Sequence, residues 1–231
     1  MTKHILVSIW MLFCYGFTIQ SQEVNKIDNQ GLRHGLWQKF FEGTKQLRYT
    51  GTFEHGKEIG AFKFYDKSGG HPTAIKTYTK GEELLDVVFY TKSGNTISQG
   101  KMKDRSKEGE WLYFHKDGST VMAKEMYRLN RLEGTRIVFF ENGTKAQETS
   151  YVNGLREGQD IHYGHNGNIL KEFVYINDKL EGPVKLYNTD GSLLREGRYK
   201  ANRKHGTWKY YSNGKLEKTV KFPQNKIGVQ N

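Results

Sequence analysis

The chain has 231 residues, a formal net charge of +11, and 13% aromatic residues within a hydrophobic share of only 35%. Disordered chains are poor in aromatics, so this one folds, and 26 Gly against 3 Pro favour many short strands joined by tight turns. The single cysteine, Cys14, excludes a disulfide framework and a cysteine-based metal site.

At the N-terminus, Lys3 precedes an uncharged apolar run from Ile5 to Ile19, then small and polar residues. This is the layout of a secretory signal peptide, with cleavage expected after Ser21 and a mature chain of residues 22–231. The run is short for a transmembrane helix, which needs about 20 residues. Retention as an uncleaved anchor is the alternative. Leu12 and Phe13 are too bulky for a lipidation signal before Cys14. An export signal without disulfides fits a bacterial periplasmic or extracellular protein.

Beyond residue 22 the sequence repeats. Gly35, Gly60, Leu85, Gly109, Gly134, Gly158, Gly182 and Gly206 follow one another at steps of 24 or 25 residues. We call these the anchor positions. Five residues after each stands an aromatic: Phe40, Tyr65, Tyr90, Phe114, Phe139, Tyr163, Tyr187 and Tyr211. Seven residues before each following anchor stand Phe53, Tyr78, Met102, Tyr127, Tyr151, Tyr175 and Tyr199, and Phe222 extends this series. A second glycine lies eight or nine residues after each anchor, in strings such as "SNG", "KDG" and "ENG".

Each copy therefore reads as two strands, with the Asn-Gly or Asp-Gly dipeptide forming a two-residue hairpin turn. A charged connection such as "VNGLREG" leads to the next copy. No segment sustains helical spacing for three turns, and "GEELLDVVFY" aligns with the first strand of the third copy. The expected fold is all-β: an elongated antiparallel β-hairpin repeat array of about eight copies and sixteen strands.

The string "YKANRKHGTWKYYSNGKLEK" resembles the MORN repeat, in the variant found in bacterial YwqK-like proteins described as antitoxins. The resemblance spans residues 31 to 222 and is clearest at Gly35, Gly109, Gly182 and Gly206. It weakens at Leu85, and at Gly134 and Gly158, where Arg136 and Asp160 replace the tryptophan. It implies an elongated β-meander that works as a binding or scaffolding surface.

Alternation along a strand separates two faces. The aromatic five after the anchor occurs in every copy, and its stacking from copy to copy is expected to hold the sheet. Two after the anchor the residue varies, through Trp37, Phe62, Val87, Trp111, Arg136, Asp160, Val184 and Trp208. That face either covers the sheet or binds a partner protein, with Trp37, Phe62, Trp111 and Trp208 as anchoring side chains.

No catalytic motif is present, so no enzyme activity, cofactor or metal is expected. His34 and His205 directly precede an anchor glycine and read as turn residues. His162 and His165 flank a turn without a third ligand, and the recurring "REG", "LEG" and "KEG" carboxylates read as solvated.

Residues 195 to 226 hold ten Lys or Arg against Glu196 and Glu217. Arg198, Lys200, Arg203, Lys204 and Lys209, interleaved with Tyr199, Trp208, Tyr210 and Tyr211, could grip anionic lipid or acidic glycan of the envelope. Such a pattern also suits single-stranded nucleic acid, but export argues against that partner. Alternatively the charge keeps a terminal strand soluble and unpaired.

Overall fold

The computed structural model describes residues 23–223, so the signal peptide expected at residues 1–21 lies outside the described residues. Nineteen strands and no helix are present among them. The first half contains β1 (Lys26–Ile27), β2 (Arg33–Phe40), β3 (Leu47–Glu54), β4 (Lys57–Phe64), β5 (Ala74–Tyr78), β6 (Leu85–Tyr90), β7 (Thr96–Lys103), β8 (Ser106–Phe114) and β9 (Val121–Arg128). The second contains β10 (Arg131–Leu132), β11 (Gly134–Phe139), β12 (Lys145–Val152), β13 (Leu155–Tyr163), β14 (Ile169–Ile176), β15 (Lys179–Leu180), β16 (Gly182–Tyr187), β17 (Leu193–Lys200), β18 (Arg203–Ser212) and β19 (Lys215–Phe222).

Every pairing is antiparallel and follows chain order, giving one open meander sheet. The sixteen expected strands are present. The three extra ones are β1, which pairs with the start of β2, and β10 and β15, which are the first residues of strands interrupted at Glu133 and Glu181.

The anchor glycines lie within the first strand of each copy or begin it. All seven have positive φ, from +66° at Gly60 and Gly109 to +102° at Gly158, where an L side chain is strained. Opposite each anchor lies the residue of the second aromatic series, as in Gly109↔Tyr127 and Gly206↔Phe222. In the third copy both partners change together, to Leu85↔Met102.

The turns depart from expectation. The Asn-Gly and Asp-Gly strings do not form two-residue turns in most copies. In "ENG" and "HNG" only the glycine has positive φ, and Phe140 N–H donates to Thr144 O at 2.9 Å, closing a three-residue loop. The two-residue turns with both φ positive fall instead at the charged connections: His55-Gly56, Leu129-Asn130, Asn153-Gly154, Asn177-Asp178 and Ala201-Asn202. Only the last copy turns tightly at Asn213-Gly214.

The "REG"-type carboxylates are not merely solvated. Glu108, Glu133, Glu157 and Glu181 accept the N–H of Leu129, Asn153, Asn177 and Ala201, at 2.8–2.9 Å. Each glutamate thus fixes the next tight turn to its own copy.

Candidate functional site

The register aligns one residue per strand into a row across the face that carries Trp111. Part of it runs Trp37–Gly51–Phe62–Lys76–Val87–Gly100–Trp111–Glu125. It continues through Arg136–Thr149–Asp160–Phe173, with Val184–Gly197–Trp208–Val220 beyond. Large rings alternate with glycines because the rings lie flat. A Cβ on Gly100 would meet the Trp111 ring at 2.6 Å, and Gly51 and Gly197 lie equally close beneath Phe62 and Trp208.

Phe62, Trp111 and Trp208 are consequently buried, at 3%, 0% and 0% exposure. Trp111 Nε1 donates to Lys101 O at 3.1 Å, and Lys107 Nζ lies 4.5 Å above the ring centroid, bonded to Tyr113 Oη at 2.6 Å. Trp208 repeats the arrangement with Arg198 O, Lys204 and Tyr210. Trp37 is half-buried, under Arg33 at 4.9 Å.

Two expectations are corrected here. Side chains without accessible surface cannot anchor a partner, so Phe62, Trp111 and Trp208 hold the sheet. The aromatics five after the anchor do not hold it by stacking: they are half-buried or, at Phe40, exposed, and none contacts another of its series. The opposite face is ionic instead. Tyr163, Tyr187 and Tyr211 donate to Glu148, Glu172 and Glu196 at 2.7–3.1 Å. Partial burial and the glutamate beside each push the Tyr163 and Tyr187 hydroxyls up to about 12.

The buried row breaks between Trp111 and Val184, where charge replaces the ring. Arg136 Nε donates to Glu125 Oε1 at 2.8 Å, and Tyr127 Oη donates to Glu125 Oε2 at 2.7 Å. Asp160, 3% exposed, accepts from Gln147 at 2.7 Å and Thr149 at 2.8 Å, with His162 Nε2 at 3.1 Å. Burial alone would raise both carboxyl groups. Hydrogen bonds from Arg136, Tyr127 and Tyr113 to Glu125, and from His162, Gln147 and Thr149 to Asp160, outweigh it and hold both below their ordinary values. Around them, half-exposed, stand Tyr151, Tyr175 and His162, with the Arg156 guanidinium 4.0 Å over the Tyr175 ring and paired to Asp178 at 2.9 Å.

Of the basic residues expected to grip an anionic surface, Lys204 lies on the Trp208 face and the other four on the opposite one. Arg198, Lys200, Arg203 and Lys209 are exposed, but Lys209 pairs with Glu196 at 3.2 Å and Lys204 is spent on Trp208. The edge strand β19 adds exposed Lys215, Lys218 and Lys221, which suits a strand protected from further pairing.

His34, read as a turn residue, stands in β2. His162 serves Asp160, and His165 stacks on Phe140 at 3.8 Å, so those two do not act together. His34 and His55, 21 positions apart in sequence, meet each other and Asp28.

Fold and site together define a hairpin-repeat protein whose sheet is clamped by tryptophans and interrupted by charge. The family model described as MORN repeat variant matches residues 132–153, 180–201 and 204–222, so over these three segments the chain is similar to the MORN repeat variant. No curated protein matches the chain.

Proposed function

We propose that the chain is a non-enzymatic scaffold that binds another protein through the charged break, with Arg136, Tyr151, Arg156, His162 and Tyr175 as the contact set. The observation that carries this reading is the replacement of the clamp tryptophan by Arg136 and Asp160 in consecutive copies. Those copies give up the ring that binds the sheet and present tyrosine and arginine, the residue types that interfaces favour. Asp160, buried, and Glu125, partly buried, are hydrogen-bonded and held below their ordinary values, which orients their neighbours and leaves neither suited to act as a general acid. Neutralising the partner, as the YwqK-like resemblance implies, is the finer form of the proposal, and the export signal expected at residues 1–21 supports a partner in the periplasm or outside the cell.

A second reading is attachment to anionic lipid or glycan through exposed Arg198, Lys200, Arg203 and Lys209. Salt separates the two, because exposed charges are screened over about 8 Å at physiological ionic strength. The test is capture of envelope proteins by the full chain at low and high salt. A discrete protein retained at high salt and lost with Arg156→Ala and Tyr175→Ser supports the scaffold. Recovery of lipid or glycan alone, released by salt and by Arg198→Glu with Arg203→Glu, overturns it.

A further inference from the structure

The first copy lacks the turn device of the fourth to seventh copies. There the residue before the anchor glycine is a glutamate, Glu108, Glu133, Glu157 or Glu181, that accepts the N–H of the next tight turn. In the first copy His34 occupies that position, and His55 occupies the turn position whose N–H would be capped. A third group arrives from outside the repeat: Asp28, in the turn between β1 and β2.

The three are held toward one another. His55 Nδ1 lies 2.8 Å from Asp28 Oδ2, and the two imidazole centroids are 4.9 Å apart. One ligand atom from each residue lies within 4.8 Å of the other two. The Asp28 side chain is only 8% exposed, and its other oxygen is fixed by the N–H groups of Gln30 and Leu32, both at 2.9 Å. Such outer bonds orient a ligating carboxylate. Glu54, beside His55, is engaged by Lys80 at 3.0 Å, leaving the two histidines and the aspartate as the convergent set.

We propose that Asp28, His34 and His55 bind one borderline divalent cation of the zinc, copper or nickel class. Two imidazoles and a carboxylate are the donors these ions favour, and with water a tetrahedral zinc site is complete. Donors on such a zinc ion stand about 3.4 Å apart, given bonds near 2.1 Å, so the cluster closes by small side-chain rotations. The ion takes the place of the proton between His55 and Asp28, and His55 stays neutral with its other nitrogen protonated. Because the ligands come from the β1–β2 turn, β2 and the β3–β4 turn, binding ties the first strand to the array.

The experiment is titration of the full chain with Zn2+ by calorimetry and with Co2+ by visible absorption. The expected result is one equivalent bound, with the intense ligand-field bands of tetrahedral Co2+. His34→Ala, His55→Ala and Asp28→Asn should each weaken binding by more than the roughly 10- to 100-fold that follows loss of an outer partner. His205→Ala, at the matching position of the last copy, should leave it unchanged. In the unaltered chain, Zn2+ should shift the imidazole resonances of two histidines only, a readout independent of how the variants fold. Absence of binding, binding that survives His34→Ala combined with His55→Ala, or loss of binding with His205→Ala would overturn the proposal.

Discussion

Glycines beneath rings set the chemistry of single residues in this array. Gly100 is opposite Trp111 and has ordinary φ, whereas Gly109 has φ +66° and open space above it. Their alanine variants should therefore fail for different reasons. Gly100→Ala forces the Trp111 ring off the strand, an overpacking cost of about 1–3 kcal/mol, and Trp111→Val should recover part of that loss. Gly109→Ala costs about 1–2 kcal/mol through backbone strain alone, and Trp111→Val should not relieve it. Urea unfolding of the single and double variants measures the coupling. The anchor series was legible in the sequence because positive φ demands glycine. Which face packs was not, because both faces repeat aromatics. The usable signals were Gly51, Gly100 and Gly197 in the partner strands, and the paired change to Leu85 and Met102.

The hairpin is the unit at the next scale, and its tight turns are tied copy to copy by glutamate. Glu157→Ala removes the acceptor for Asn177 N–H, held at 2.8 Å. The loss should be about 0.5–1.5 kcal/mol, with faster amide exchange confined to the Asn177-Asp178 turn. The sequence showed these carboxylates recurring but not their partner, which lies 20 residues away across the sheet. The two-residue turns were misplaced for a related reason: Asn-Gly suits both a tight turn and a three-residue loop, and strand register decides between them.

The β12–β13 hairpin carries a pH dependence through Asp160. Its folded pKa lies below the ordinary 3.8, so its contribution to stability is present above 3.8 and is lost as pH falls through the lower folded value. The unfolded chain binds more protons in that window, and the melting temperature should drop with acidification below about pH 4. Asp160→Asn should flatten that acid limb while leaving Gln147 and Thr149 with a partner. An unchanged limb in the variant would remove Asp160 from the account.

Among the described residues the strand pairings follow chain order, so stability should accumulate copy by copy and the ends should fray first. The end hairpin β18–β19 is secured by Trp208, held between Tyr199 and Phe222, and its edge is defended by lysines. Removing residues 203–223 should lower the melting temperature without abolishing the sheet and should expose β17 as a new edge whose Gly197 has lost the Trp208 ring that covers it. Size-exclusion chromatography should then show self-association that the full chain lacks. The periodicity made this long-range organisation legible, since a 24-residue step with strand propensities allows little but a meander. The charged break was visible only as weak copies, because two substitutions in a varying series resemble drift until the register sets Arg136 beside Glu125 and Asp160 beside Thr149.

The division of labour between clamping copies and contacting copies is tested most directly by comparing Trp111→Ala with the pair Arg156→Ala and Tyr175→Ser. Thermal unfolding and high-salt partner capture are measured on the same samples. Trp111→Ala should lose roughly 3–5 kcal/mol and still capture the partner below its melting temperature. The Arg156 and Tyr175 pair should melt close to the unaltered chain and lose the partner. Loss of capture by Trp111→Ala while still folded, with capture intact in the Arg156 and Tyr175 pair, would contradict the account.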